Sequence, residues 1–451
     1  MGCHHKDYTL TDFTTLGISP RIVENLDKLG LTTPTPIQTQ AIPHGMMGRD
    51  IMGLAQTGTG KTAAFGLPIV SKLLDLGCRP SPKTCRALIL APTRELATQI
   101  TENIQSFAKE TPVRTFRVVG GASLNAQAER LSRGIDILVA TPGRLIDLLN
   151  RRALTLHEVR YLVLDEADQM LDIGFIHALR QIAKMLPVHR QTMMFSATMP
   201  KLMDELSEAY LKDPIKVQVS PPGKVADRID QGVHFVGQGD KAKLLSQYLA
   251  KHPGELALVF GRTKHGSDKL CRLLESWGFT VGAIHGNKSQ GQRERALQSF
   301  RNGTTKVLVA TDVAARGIDI PDVRHVYNFD LPNVAENYVH RIGRTARAGR
   351  AGSAVAFCAP DEMDELRAVE KTMKTAIPVI GGVAWVGHTP KPARGSGRPG
   401  QKAGGKPGQK FGQKPGQRQS QGQGQGQKPA ANTQGGARRT SSRPSKGSRA
   451  A

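Results

Sequence analysis

Arg49-Asp-Ile-Met-Gly-Leu-Ala55-Gln-Thr-Gly-Thr-Gly-Lys61-Thr62 reads as a short apolar strand that ends in a glycine-rich turn and opens into a helical stretch. Outward from it the same rhythm repeats. The runs RALILAP, TFRVVG, DILVAT, RYLVLDE and TMMFSAT alternate with helix-period segments such as Arg94 to Lys109, whose apolar residues recur at three and four. Near-continuously apolar strands suit a parallel sheet buried on both faces. Strands that alternate with helices imply right-handed βαβ units, hence an α/β fold. Around VSPPGKVAD (219–227) proline and glycine break the pattern, as a linker does. The rhythm restarts in GVHFV, LALVFGRT, TVGAIHG, KVLVATDV, HVYNFD and SAVAFC. The expected layout is an N-terminal segment (1–40), a first α/β domain (41–218), the linker (219–227), a second α/β domain (228–377) and a tail (378–451). Two such domains in tandem suggest a ligand crevice between them.

The charge is uneven. The 451 residues carry a net charge of +24, and Thr389 to Ala451 holds 14 basic residues and no acidic one, which leaves 24 − 14 = +10 for the rest. Its Gly-Gln-Lys-Pro units hold Phe411 as the only aromatic after Trp385. Such a segment buries too little apolar surface to offset its ordering entropy and reads as disordered. Unopposed positive charge favours a phosphate backbone as partner. No apolar run approaches the ~20 residues that span a bilayer, and MGCHHKDYTL lacks the apolar stretch of a secretory signal. Cys3, Cys78, Cys85, Cys271 and Cys358 show no Cys-x-x-Cys, which points away from a disulfide framework or zinc ribbon and towards a reducing, intracellular setting. The terminal Cys3-His4-His5 could hold a metal, but a frayed polar end is the plainer reading.

Three motifs carry chemistry. Ala55 to Thr62 resembles a P-loop with Ala55 in place of the usual first glycine; its N–H groups would surround a phosphate, Lys61 would reach the terminal phosphates and Thr62 would ligate Mg²⁺. Asp165-Glu-Ala-Asp168 closes the run YLVL, where one carboxylate faces a metal and the next orients attacking water. In His340-Arg-Ile-Gly-Arg344-Thr-Ala-Arg347, two arginines three apart share a helical face and would bring positive charge to a nucleotide when the domains close.

With these motifs in hand, the chain resembles the DEAD-box RNA helicases of superfamily two from about Tyr8 to Ala376. The family's signatures stand in order: Thr35-Pro-Ile-Gln38, AQTGTGKT, Pro92-Thr-Arg-Glu-Leu96, Gly120-Gly121, Thr141-Pro-Gly-Arg144, DEAD, Ser196-Ala-Thr198, Ala310 to Asp319 and HRIGRTAR. Ala346 stands where many members have glycine. The basic tail is most similar to that of the RhlE-like bacterial subgroup.

The resemblance implies two tandem RecA-like domains, each a parallel sheet flanked by helices, and a cytoplasmic ATP-dependent RNA helicase that uses ATP and Mg²⁺. Gln38 would read the adenine edge while Phe13 stacks on the ring, with Ala55, Gln56, Thr57, Gly58, Thr59, Gly60, Lys61 and Thr62 around the phosphates and Asp319 at the ribose. Asp165 would hold Mg²⁺ with Thr62, Glu166 would activate water, and Arg344 and Arg347 would stabilise transition-state charge. Ser196 and Thr198 would hydrogen-bond to the DEAD strand, and His340 would help couple the domains. RNA would lie along Pro92, Arg94, Gly120, Gly121, Thr141, Gly143 and Arg144 of the first domain and Arg262 and Thr311 of the second. These are backbone contacts without base reading. Ribosomal or RNA-decay complexes are the assemblies to expect, and no membrane. Two rivals are a non-catalytic RNA clamp of the same fold and a DNA helicase.

Overall fold

The computed structural model describes residues 12–55, 58–219, 229–315, 320, 322–346 and 351–385. Gln56, Thr57, Asp319, Arg347, the Cys3-His4-His5 terminus, the linker after Val219 and the tail after Trp385 lie outside the described residues.

Two seven-stranded parallel sheets carry the fold. The first is built from β1 (Ile51–Leu54), β2 (Cys85–Leu90), β3 (Thr115–Val118), β4 (Ile135–Ala140), β5 (Tyr161–Leu164), β6 (Gln191–Ser196) and β7 (Ile215–Gln218). The second is built from β8 (Ile229–Phe235), β9 (Leu256–Phe260), β10 (Val281–Ile284), β11 (Val307–Ala310), β12 (Val323–Asn328), β13 (Gly352–Cys358) and β14 (Val379–Gly381). Their orders are β3-β4-β2-β5-β6-β1-β7 and β10-β11-β9-β12-β13-β8-β14. Adding seven to each index of the first gives the second, so the chain is one topology written twice. This is the tandem RecA-like architecture.

The central strands are apolar at consecutive positions because both faces are covered. On β2, Ala87 and Ile89 face one apolar layer while Leu88 and Leu90 face the other. On β9, Leu258 and Phe260 face one layer and Ala257 and Val259 its opposite. Each buried leucine, isoleucine, valine or phenylalanine among them contributes roughly 1.5–3 kcal/mol. No helix among the described residues is long and apolar enough to cross a membrane.

Three expectations need correction. Each sheet has a seventh strand that the apolar runs did not announce. β7 (IKVQ) alternates in burial and β14 (VIG) is largely exposed, because an edge strand covers only one neighbour and needs no continuous apolar run. β14 also moves the end of the second domain past residue 377: Val233 donates to Pro378 O at 2.8 Å, and Val379 and Gly381 pair with Val233 and His234 of β8. Finally, among the described residues, 12–40 do not stand apart from the first domain. Phe13, Leu16, Ile22, Leu26 and Ile37 are buried in the same apolar cluster as Phe65 and Ile100, and the helix Pro36–Met46 runs across the expected boundary.

Candidate active site

The glycine-rich turn leads from β1 into the helix Lys61–Leu76. Gly58 and Gly60 have φ of +82° and +90°, a region that strains any side chain, and a Cβ on Gly60 would run into the Gln38 amide. The bare backbone and the helix N-terminus together make an anion site. Lys61 is 6% exposed, with its Nζ 3.9 Å from Asp165 Oδ1, and Thr62 follows it in the first turn. Ala55 is buried and donates its N–H to Ser196 O at 3.0 Å. Gln38 Nε2 donates to Gly60 O at 3.0 Å, Gln38 Oε1 accepts from Thr35 N at 2.8 Å, and Thr35 Oγ1 donates to Thr59 O at 2.8 Å. Gln38 is thus tied to the turn and keeps one N–H and one lone pair for a ligand. Phe13 is 3% exposed within the apolar cluster, so its ring would have to be uncovered to stack on an adenine.

Asp165 and Glu166 stand at the carboxyl end of β5, both buried. Glu166 holds φ +51°, a strained conformation for a residue with a side chain, and its Oε2 accepts no hydrogen bond among the described residues. Burial pushes both carboxyls upward; Lys61 opposes that shift in each, and Arg344 of the second domain opposes it at Glu166. A group that brought a divalent cation or a water to Glu166 Oε2 would satisfy this orphaned atom, so the residues fit Mg²⁺-bound nucleotide.

Asp168, the last letter of the tetrapeptide, takes three bonds on Oδ2: from Ala197 N (3.1 Å), Thr198 N (2.9 Å) and Thr198 Oγ1 (2.8 Å). Ser196 Oγ donates to Thr198 O at 2.7 Å. The bonds from Ala197 and Thr198 to the DEAD tetrapeptide therefore run to this carboxylate, in the helix Ala167–Asp172, beyond the β5–β6 pairing that ends at Leu164 and Met194.

Across the crevice, the helix Glu336–Ile342 presents His340 and leads into Arg344, which is 3% exposed and donates Nε to His340 O at 3.3 Å. Ala346 sits at φ +55°, where glycine is unstrained, so the alanine is less neutral than its size suggests.

Sheet order sorts the remaining candidates. β3, β4 and β2 are neighbours, and Gly120-Gly121, then Thr141, Gly143 and Arg144, then Pro92 follow their carboxyl ends. β5, β6 and β1, which carry the acidic and glycine-rich motifs, occupy the adjoining half. Ligands of open α/β sheets bind beyond the carboxyl ends of strands, and the two groups of motifs lie side by side on this one rim. The Arg94 guanidinium lies against Gly120 and Gly121; a Cβ on Gly121 would collide with it, and Gly121 has φ +82°. Arg144 Nη1 donates to Ala122 O at 2.9 Å. In the second domain, Arg262 follows β9 and Thr311 follows β11. Arg262 is held by Glu362 Oε1 at 2.9 Å and donates its backbone N–H to Asp330 Oδ2 at 2.8 Å.

Residues 35–206 match the DEAD/DEAH box helicase family, and residues 240–349 match the helicase conserved C-terminal domain. Over 376 residues the chain is 44% identical to the ATP-dependent RNA helicase CshA of Listeria monocytogenes, an alignment that spans 83% of this chain and 71% of that protein. The chain belongs to the DEAD-box helicases. Its fold is similar to S. cerevisiae Dbp5 bound to RNA and ADP BeF3, with 30% identity and a TM-score of 0.72 over 81% of this chain and 95% of that one. It is also similar to the DEAD-box helicase Mss116 bound to ssRNA and UDP-BeF, with 28% identity and a TM-score of 0.76 over 83% and 81%.

In this DEAD-box chain the family motifs contain residues whose structural weight the sequence alone hides. Arg341, one turn before Arg344, is 2% exposed and grips Asp312 through Nε (2.5 Å) and Nη2 (2.8 Å) while Nη1 reaches Asn328 Oδ1 (3.0 Å) and Asp330 O (2.7 Å). It fixes the start of the helix Asp312–Ala315 against the strand end that bears Arg262's partner. Asp168, Thr35, Arg341 and Asp312 all stood inside quoted motifs, and only their lack of an obvious chemical task hid them.

Proposed function

We propose that this protein is an ATP-dependent RNA helicase that hydrolyses ATP to ADP and phosphate and uses domain closure to part short RNA duplexes or remodel RNA–protein complexes. The observation that carries the reading is that the Glu166 carboxyl, buried at the end of β5 with Oε2 unsatisfied, is pushed upward by burial and that Arg344 of the second domain opposes this shift. Hydrolysis then requires both domains, and the two domains are also the two walls of the RNA rim.

Mg²⁺–ATP, when bound, would supply the phosphoanhydride bond and the negative charge that the basic residues of both domains meet. In this reading Gln38 orients the base, and Lys61 with the glycine-rich turn holds the phosphates. Asp165 and Thr62 supply oxygens for the cation. Glu166 is the group that takes a proton from the attacking water, and Arg344 offsets the charge that develops. Asp168 relays the state of this corner to Ser196 and Thr198. Pro92, Arg94, Gly120, Gly121, Thr141, Gly143, Arg144, Arg262 and Thr311 grip sugar and phosphate, so no base sequence is favoured. The tail adds non-specific attraction, and the cytoplasm is the proposed setting.

The decisive test is ATP turnover with RNA, with DNA and with no polynucleotide, for wild type and Glu166→Gln. Stimulation by RNA alone and its loss in Glu166→Gln, with ATP and RNA binding retained, support the reading. Equal stimulation by DNA makes it a DNA helicase, and no turnover in wild type leaves a non-catalytic clamp.

A further inference from the structure

The second domain has chemistry at the end of its sheet opposite the ATP and RNA rim. His252 and Glu255 flank Pro253-Gly254 just before β9, and His325 lies near the start of the adjacent strand β12. Glu255 N donates to His252 O at 3.3 Å, and Gly254 has φ +87° with open space where a Cβ would stand. This is a type II turn with proline and glycine in the positions that favour it, so His252 and Glu255 are held side by side before any ligand arrives. His325 completes the group from a different strand. Its Nε2 is 2.5 Å from Glu255 Oε2, His252 Nδ1 is 3.9 Å from the same oxygen, and the two imidazoles stack with centroids 4.2 Å apart.

We propose that His252, Glu255 and His325 form a binding site for one divalent transition-metal ion of the zinc type. One donor atom from each residue lies within 4.8 Å of the others. Ligand atoms around a tetrahedral zinc ion stand about 3.3 Å apart, given bonds of about 2.0–2.1 Å. The movement required is therefore about an ångström. The side chains that must make it are free to do so: His252 is 44% and Glu255 46% exposed, whereas His325 is 11% exposed and stacked beside Tyr327. On coordination the His325 ring takes the tautomer that turns the Nε2 lone pair to the ion, and Glu255 opens away from it. Two imidazole nitrogens and one carboxylate select zinc, cobalt or nickel over magnesium, which prefers an all-oxygen shell. An adjoining cleft of about 230 Å³, bordered by Pro253, Phe279 and Lys306, admits the water that fills the fourth position. Lys306 and Arg324 oppose any cation here, although Arg324 is turned to Ala351 O at 3.3 Å; affinity must come from direct coordination and not from the local field. The ion would tie the Pro-Gly turn to β12 and brace the second domain far from the crevice.

The test uses the full-length protein in excess Mg²⁺, titrated with Co²⁺ and followed by visible absorption, with Zn²⁺ as competitor. The expected result is one equivalent of Co²⁺ bound with ligand-field bands, displaced by Zn²⁺. Those bands should vanish in His252→Gln and in Glu255→Gln. They should persist in a chain carrying Cys3→Ser, His4→Gln and His5→Gln, which removes the competing terminal cluster. Zn²⁺ at a hundredfold excess over its Kd should raise the melting temperature by about 5 °C in wild type and not in His252→Gln. The half-exposed residues are chosen because His325 is packed against Tyr327 and its loss could unfold the domain. Absence of stoichiometric binding, or binding that survives both His252→Gln and Glu255→Gln, overturns the proposal and leaves a plain stacked histidine pair.

Discussion

Glu95 and Arg293 form an ion pair at 2.9 Å between the two α/β domains, with side chains only 3% and 12% exposed. Glu95 follows Arg94 at the start of the helix Arg94–Phe107, and Arg293 lies on the helix Gln290–Arg301. Arg94 Nη1 reaches Gln290 Oε1 at 3.4 Å and Arg117 reaches Glu294 at 3.3 Å, so the pair is the buried centre of a polar seam beside a cavity of about 800 Å³. Burial pushes the Glu95 carboxyl upward and Arg293 opposes that shift.

Removing one partner leaves the other charge buried without its counter-ion. Glu95→Gln and Arg293→Met should each lower RNA-stimulated turnover at subsaturating RNA. A double-mutant cycle should return a coupling on the order of 1–3 kcal/mol. Strictly additive effects would show that the pair is not formed in the working enzyme.

The three bonds on Asp168 Oδ2 give a graded prediction. Thr198→Val removes one bond and should cost about 1 kcal/mol, whereas Asp168→Ala leaves two backbone N–H groups without their acceptor and should cost about 2–4 kcal/mol. Thr198→Val should also reduce the duplex unwound per ATP consumed. Strand displacement and phosphate release, measured together, check this; an unchanged ratio counts against a coupling role.

Arg344 belongs to the second domain, and in the proposed mechanism it reaches the nucleotide only from across the crevice. Arg344→Ala should lower the RNA-stimulated rate by about 10³-fold or more while ATP affinity changes far less. A large loss of ATP affinity at an unchanged catalytic rate would contradict this arrangement.

Truncation after Pro390 removes all 14 tail charges. It should weaken RNA binding at low salt, flatten the slope of log affinity against log salt, and spare turnover at saturating RNA. Equal slopes for full-length and truncated protein would make the tail a solubilising appendage.

Thiol chemistry probes the cores. Burial pushes Cys85, Cys271 and Cys358 up to about 12, while Cys78 is exposed. Of these four, only Cys78 should be alkylated in native protein at pH 8, as peptide mapping would reveal. A folded value above the unfolded 9.0 means that each buried thiol's contribution to stability is intact below pH 9 and lost as pH rises from about 9 to about 12. Fast native labelling of Cys85 would show that the first sheet opens.

The apolar runs and glycine-rich turn were legible because they are local: a buried parallel strand must be apolar at every position, and a phosphate cradle must lack side chains. Six strands of each sheet, the P-loop and the DEAD tetrapeptide announce themselves in this way. The edge strands β7 and β14 did not, since an edge makes half the contacts and tolerates polar and exposed residues. Strand order was also beyond the sequence, yet it is order that separates the half of the rim proposed for ATP from the half proposed for RNA. Pairings between distant residues were equally hidden. Glu95 with Arg293, Arg341 with Asp312, and His325 with Glu255, 70 residues away, become partners only when two sheets and two domains bring them together. A sequence fixes which chemistry each residue offers and which local conformations it allows; which charges lose their water, and which neighbour then has to satisfy them, is decided by tertiary packing.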